Sequence, residues 1–340
     1  MNREIGSDFW EIPLSKQENH LFPEDTRWYQ SGRVALGAIL DHILTQRKIH
    51  TMALPSWCCE TMVEPFVSRG IEVRFYAVTP DEQGRLCQQL PDPGWCDGIL
   101  VMDYFGYSRQ GAIPQGWGFV IRDVTHSLFC GVPSDADYVY GSLRKWGGFW
   151  TGGFAWGNEP LPAPRQGLVD SDAYISLRRQ AMQEKYRYLS GQLEDKRYLG
   201  VFAAAESLLD QEPEGAAAAE DLFSAFHLDV PFLRERRRRN AARLLDEVRP
   251  YALFPDIQEE DCPLFVPILL PEEKRNALRQ HLISNEIYCP VHWPLSRFHQ
   301  IADQERRLYG EELSLVCDQR YGDADMDRFC RKVGEFFEKV

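Results

Sequence analysis

Three groups of residues between positions 120 and 153 have types and spacing that could do chemistry together. Arg122-Asp123 closes an apolar run, and His126 follows Asp123 in an Asp-x-x-His spacing. Ser142-Leu143-Arg144-Lys145 then precedes the glycine pair Gly152-Gly153. A carboxylate at a ring nitrogen favours the protonated ring. A lysine can form a Schiff base once its amine loses a proton, which a nearby positive ring and partial desolvation assist. Small residues let a rigid ring and an anionic group approach the backbone. Together these are the requirements of pyridoxal phosphate, a cofactor that acts as an electron sink. Taken singly, each residue has a plainer use. An aspartate at a strand end often caps a helix, a loop lysine is usually solvated, and paired glycines are common in turns. Only the ordered set points to a cofactor.

Such a set needs elements to hold it. Ser31 can cap the helix announced by Val34, Leu36, Ile39, Leu40, Ile43 and Leu44, and Gly32 leaves room at its start. The unpaired N–H groups of Gly32 and Arg33 there form a site for an anion. Strands are expected at 51–54, 72–78, 98–103 and 118–121, with a helix at 61–68 between the first two. This β-α-β rhythm predicts a mostly parallel sheet flanked by helices. Ligands bind beyond the carboxyl ends of such strands, which puts Trp57, Tyr104, Asp123 and His126 at one edge. A strand at 138–140, a turn at 142–146 and a strand at 154–156 follow. Helices are then expected at 172–190 and 198–209. A helix at 231–248 leads into a second lobe with strands at 264–269 and 287–291 and helices at 271–284 and 325–339. The expected division is an N-terminal arm (1–25), a large domain (26–235) and a small α+β domain (236–340). Trp10, Leu21 and Phe22 suggest that the arm packs on a surface or a partner subunit.

The chain has 340 residues, 44% hydrophobic and 26% charged, as in ordinary folded proteins that contain more than one lobe. Its formal charge of −13 argues against nucleic-acid binding, and the basic run at 234–239 reads as a solvated or interface face of a helix. No stretch reaches 18 uninterrupted apolar residues, and the first residues lack the apolar core of a signal peptide, so a cytoplasmic protein without membrane attachment is expected. The nine cysteines lie scattered with no C-x-x-C pair, which predicts reduced thiols rather than disulfides or a metal site.

Ser31-Gly32-Arg33-Val34-Ala35-Leu36, Arg122-Asp123-Val124-Thr125-His126 and Ser142-Leu143-Arg144-Lys145 with Gly152-Gly153 resemble the DegT/DnrJ/EryC1 family of fold-type-I pyridoxal phosphate aminotransferases. Leu54-Pro55-Ser56, Tyr104-Phe105-Gly106 and the segment from Ile287 through His292-Trp293-Pro294 extend the likeness over most of 28–325. The resemblance implies an α/β fold with a large domain, whose mostly parallel sheet is of the seven-stranded type, and a smaller α+β C-terminal domain. It implies Lys145 as the Schiff-base lysine and proton shuttle, Asp123 at the pyridine nitrogen and His126 near the ring. Ser142 with the Gly32-Arg33 backbone would hold the phosphate. Either Trp57 or Cys59 would cover the ring, and a broad aromatic face favours Trp57. Tyr104, His292 and Arg320 are the substrate-side candidates, Arg320 because a guanidinium can grip a donor carboxylate. A structural ion pair with Asp318 is the alternative for Arg320, and packing beside Trp293 the alternative for His292. The implied activity is transfer of an amino group from an amino-acid donor to a keto acceptor, such as a nucleotide-linked keto sugar, by a homodimer with a shared site. Another reaction of the same cofactor (lyase, dehydratase or decarboxylase) or a non-catalytic binding protein is the alternative. Two departures stand out. Trp150-Thr151 occupies the place before the paired glycines where sugar-modifying members carry an acidic residue, and Arg122 replaces a more usual acid before Asp123.

Overall fold

The computed structural model describes residues 4–107, 112–164, 171–209 and 215–338. Met1, Asn2 and Arg3 of the expected arm and position 339, the end of the expected last helix, lie outside the described residues. The fold is α/β with a mostly parallel central sheet. The chain divides into two compact units, each assembled from separated stretches.

One unit comprises the described residues of Met1–Ser7, Arg47–Asp137 and Pro231–Val340. Its sheet runs in the order Glu72–Tyr76, Thr51–Pro55, Gly98–Met102, Val120–Asp123, and every pairing is parallel. Gly98–Met102 and Val120–Asp123 are buried along their whole length, which is why Gly-Ile-Leu-Val-Met reads as a continuous apolar run rather than an alternating one. The expected strand at 72–78 stops at Tyr76, and Val78–Pro80 pairs instead with Leu86–Gln88 in a small antiparallel ribbon.

The C-terminal part of this unit packs helices Glu272–Ile283 and Asp323–Phe337 with an antiparallel pair, Phe265–Leu269 against Glu312–Val316. Helix Asp303–Glu311 and strand Glu312–Val316 were not foreseen. The strand is buried on both faces and carries Glu312 and Ser314 inside, so it lacks the alternation of a half-exposed strand. The expected strand at 287–291 shortens to Ile287–Tyr288, since Pro290 has no N–H for a ladder. Its parallel partner is Ile5–Gly6. The beginning of the supposed arm is therefore core: Ile5 is fully buried among Leu244, Leu282 and Ile287. The basic run in helix Val230–Val248 is structural as well. Arg234 and Arg238 donate to the carbonyls of Gln258, Glu259, Glu260 and Asp261. Arg237 is buried, with Nε on Gln319 at 2.8 Å and Nη1 on the Leu264 carbonyl at 3.0 Å.

The other unit comprises the described residues of Asp8–Gln46 and Tyr138–Val230. Its strands run Arg27–Tyr29, Gly153–Gly157, Tyr138–Ser142, all antiparallel. Helix Gly32–Gln46 packs against them closely: a Cβ at Gly153 would lie 2.1 Å from the Ser31 carbonyl oxygen, so no side chain fits there. Phe22, Trp28, Phe154 and Phe226 form one aromatic cluster. The buried carboxylate of Asp221 accepts from the Thr151 N–H at 2.7 Å, the Thr151 hydroxyl at 2.6 Å and the Trp150 N–H at 3.2 Å. Burial raises the carboxyl above its ordinary pKa even though these bonds oppose the shift.

Removing that carboxylate strands three donors in the turn before Gly152-Gly153, and each orphaned donor costs about 1–3 kcal/mol. Asp221→Ala is therefore expected to destabilise the chain by at least about 2 kcal/mol, read as a lower midpoint in urea. An unchanged midpoint would remove Asp221 as the anchor of this turn.

Candidate active site

Asp123 ends the strand Val120–Asp123 and is 5% exposed. Its Oδ1 accepts from the Thr125 N–H at 2.7 Å, an Asx turn that brings the chain back toward His126. Successive side chains of a strand leave on opposite faces. Arg122 accordingly points away from Asp123 and forks onto Asp103 at 2.8 and 2.9 Å, with Asp135 at 2.7 Å. The unusual arginine is thus a buried ion-pair partner on the far face, held charged by its two carboxylates.

Around His126 the same unit gathers an aromatic wall. Phe105 lies 5.1 Å from His126 between ring centroids, Trp293 lies 5.7 Å away nearly parallel at 20°, and His292 lies 5.9 Å away at a steep angle. Positions more than 160 residues apart in sequence are thus brought together. Phe105 reaches this place with φ +58, the left-handed region that side chains rarely occupy. Trp293 is half-buried and Phe105 fully buried.

Trp57 is fully buried and enclosed. Its ring stacks on Tyr104 at 5.1 Å and 14°, its Nε1 donates to the His292 carbonyl at 2.9 Å, and the Tyr104 hydroxyl donates to the Trp57 carbonyl at 2.5 Å. A ring cover needs an open face, and Trp57 has none. Cys59, the other candidate, is half-buried at the start of helix Glu60–Val67. Tyr104 likewise has its hydroxyl engaged inside the wall rather than offered to a ligand. Arg320 takes the ion-pair alternative: Nε and Nη2 meet both Asp318 oxygens at 2.8 and 2.7 Å, Nη2 also reaches the Ser7 carbonyl, and the side chain is only 2% exposed. The guanidinium holds Asp318 below its ordinary pKa against the opposing effect of burial.

Behind Trp57 lies a group that sequence reading passed over. The Tyr309 hydroxyl donates to the Ser56 carbonyl at 2.7 Å and receives the Cys58 N–H at 3.1 Å. The Cys58 thiol lies 3.5 Å from His299 Nε2, and His299 Nδ1 lies 2.8 Å from the Ser296 hydroxyl. Burial pushes the Cys58 thiol well up, with Cys59 and Asp123 adding to the effect, and burial brings His299 down to about 4. Both groups are neutral near pH 7, so this thiol is inert packing rather than a nucleophile. Only the vicinal pair Cys58-Cys59 marked the region in the sequence.

In the other unit, Ser142 ends the strand Tyr138–Ser142 and leads into the 3-10 turn Leu143–Lys145, where Lys145 is exposed. Gly32 opens the 15-residue helix Gly32–Gln46, and a Cβ on it would stand 3.4 Å from the Ser142 Cβ and the Gly141 carbonyl oxygen. The serine is therefore next to the helix start. The Ser31 hydroxyl accepts from the Val34 N–H and the Ser31 carbonyl from the Ala35 N–H. The Gly32 and Arg33 N–H groups belong to the first turn, which has no intrahelical acceptors. The Arg33 side chain points elsewhere, to the Leu209 carbonyl.

Among the described residues no group of three or more His, Cys, Asp or Glu is placed to hold a metal ion, and no helix is long and apolar enough to cross a membrane. All nine cysteines are free thiols.

The fold is shared with solved structures of aminotransferases. The chain is similar to the aminotransferase TlmJ from Streptoalloteichus hindustanus, with TM-score 0.63, 13% identity, and 93% of this chain and 86% of that one covered. It is similar to Spr1654 from Streptococcus pneumoniae, a protein assigned as a sugar aminotransferase, in its PLP form, with TM-score 0.61, 14% identity and coverage of 97% and 93%. It is also similar to a DegT DnrJ EryC1 StrS aminotransferase from Brucella abortus, with TM-score 0.57, 15% identity and coverage of 92% and 85%. At these identities the likeness is one of fold. No family model and no curated protein sequence matches the chain.

The low pKa of His299 has a consequence for stability. Unfolded histidine titrates near 6.5 and the folded group near 4, so between these values the unfolded chain binds more protons. Stability contributed by the neutral ring is present above about pH 6.5 and falls as the pH drops toward 4, by on the order of 2 kcal/mol. His299→Gln is expected to flatten the dependence of Tm on pH in that window. Parallel Tm curves for variant and parent would contradict the buried, neutral assignment.

Proposed function

We propose that the chain is a pyridoxal phosphate-dependent aminotransferase that moves an amino group from an amino-acid donor to a keto acceptor. The observation that carries this reading is the buried carboxylate of Asp123 at the carboxyl end of a parallel strand, within a fold shared with aminotransferases solved in a PLP form. The residues present fit the group: Gly32 has no side chain, Ser142 stands beside it, and the helix that starts there is long enough to stabilise an anion.

When bound, pyridoxal phosphate supplies the electron sink that lets the amino-bearing carbon lose a proton. Asp123 favours a protonated ring nitrogen. Its carboxylate is oriented by the Thr125 N–H, and burial strengthens the attraction of unlike charges. Lys145 would anchor the cofactor through Nζ and carry protons at that atom. Lys145 is exposed on its turn, and the positive charge of the bound cofactor would favour the neutral amine. The Ser142 hydroxyl and the N–H groups of Gly32 and Arg33 would hold the phosphate. His126 would lie near the ring, and Phe105 and Trp293, packed against it, would exclude water on that side. His292 is the substrate-side residue of the same wall, whereas the geometry supports structural roles for Tyr104, Trp57 and Arg320. A keto sugar, such as a nucleotide-linked one, is the acceptor class favoured by the assignment of Spr1654, and a cytoplasmic homodimer is the form implied by the family resemblance.

Purified protein titrated with pyridoxal phosphate is expected to develop a protein-bound visible absorption band that Lys145→Ala abolishes. Asp123→Asn is expected to keep a Lys145-dependent band while slowing its loss on addition of an amino donor by about 100-fold or more. A wild-type protein that never develops the band sinks the cofactor assignment. A band that no member of a panel of amino-acid donors discharges counts against amino transfer and for another reaction of the same cofactor.

A further inference from the structure

His292 sits on a buried carboxylate through a hydroxyl. Its backbone N–H donates to Glu312 Oε2 at 2.7 Å, its Nδ1 lies 2.9 Å from the Ser314 Oγ, and the Ser314 hydroxyl donates to Glu312 Oε1 at 2.5 Å. Glu312 is fully buried, as is Ser314, and the nearest ring-to-carboxylate approach is 4.0 Å. Both residues come from the strand Glu312–Val316, which is clamped in register by Phe265–Leu269. Arg275 donates to the Glu312 main-chain carbonyl at 3.2 Å, and its charge attracts the carboxylate.

An ionised carboxylate only accepts, and a serine has a single O–H. That O–H is directed at Glu312, so Ser314 can meet Nδ1 only as an acceptor, and Nδ1 must carry the proton. In neutral His292 the lone pair is then on Nε2. Among the described residues Nε2 has no hydrogen-bond partner; the residue is 6% exposed, and its ring packs against His126 and Trp293.

The geometry points to Glu312 and Ser314 as positioning residues that present His292 Nε2 as an unprotonated acceptor on the substrate side. Resting on the aminotransferase reading, this defines the chemistry of the ligand group at that point. It is a proton donor, a hydroxyl or an ammonium, and not a carboxylate or phosphate oxygen, which could only face the lone pair. If Nε2 takes up a proton, the positive charge is offset through Ser314 by the carboxylate it already faces. The backbone of His292 cannot drift, since its carbonyl receives the Trp57 Nε1–H at 2.9 Å.

The test is the tautomer, read by 15N NMR of histidine-labelled full-length protein at pH 8, with the His292 signals identified by their loss in His292→Gln. In the wild type the expected state is protonated Nδ1 and bare Nε2. In Glu312→Gln the amide oxygen is needed by the His292 N–H, so the amide NH2 faces Ser314. The serine must then accept from it and turn its own proton to Nδ1. The proton on His292 is thus expected to move to Nε2, a change that a purely space-filling role for Glu312 would not produce. Should Glu312→Gln not fold, Ser314→Ala removes the acceptor for Nδ1–H and is expected to raise the population with protonated Nε2, while Ser314→Thr restores the wild-type pattern. Wild-type protein with the proton on Nε2, or variants that leave it on Nδ1, would overturn the assignment. The Lys145-dependent absorption band, recorded on the same samples with added pyridoxal phosphate, reports on the cofactor separately: its absence from wild type refutes the aminotransferase reading, whatever the tautomer shows.

Discussion

The rest of the structure depends on the burial of a parallel sheet on both faces. Strands such as Gly98–Met102 leave no room for polar side chains along their length, so polar groups collect where the strands end. Ser56 and Trp57 follow one strand, Asp103 and Tyr104 the next, and Asp123 closes the third. Those ends still carry backbone groups that need partners. The Tyr309 hydroxyl takes the Ser56 carbonyl, the Ser56 hydroxyl receives the Val78 N–H, and the Trp57 indole closes onto His292. Satisfying the sheet edge and building the aromatic wall around His126 are therefore one arrangement.

That arrangement assigns different work to residues of the same type. Arg122, Arg237 and Arg320 are all buried or nearly so, and each guanidinium is tied to carboxylates or carbonyls of its own unit. A buried ion pair is costly to break from one side, because the remaining charge stays in a low dielectric. These arginines thus hold loops in place. The departure at Trp150-Thr151 has a similar explanation: in a turn that lacks an acidic residue of its own, Thr151 meets a carboxylate, Asp221, arriving from helix Ala219–Phe226. In the other unit, the glycines at 32 and 153 serve close approach, the first beside Ser142 and the second against the Ser31 carbonyl.

The sequence by itself determined the elements whose signals are local. The helix after Ser31-Gly32, the strand-end position of Asp123, the turn that carries Lys145 and the apolar parallel strands are all legible, because capping, periodicity and turn chemistry act over a few residues. The local pattern also placed the basic run on a helix, although its Arg237 is buried rather than solvated. What only the tertiary structure decided was which partner each polar group finds. Arg320 meets Asp318 rather than a ligand, Trp57 is enclosed by Tyr104, Ile5 completes a strand pair 282 residues away with Ile287, and Glu312 reaches His292 through Ser314. The strand Glu312–Val316 was invisible for the same reason: its polar residues look exposed until the groups that satisfy them are in place. A buried polar group is stable only with a partner, and such partners are set by how distant segments pack, which no local pattern encodes.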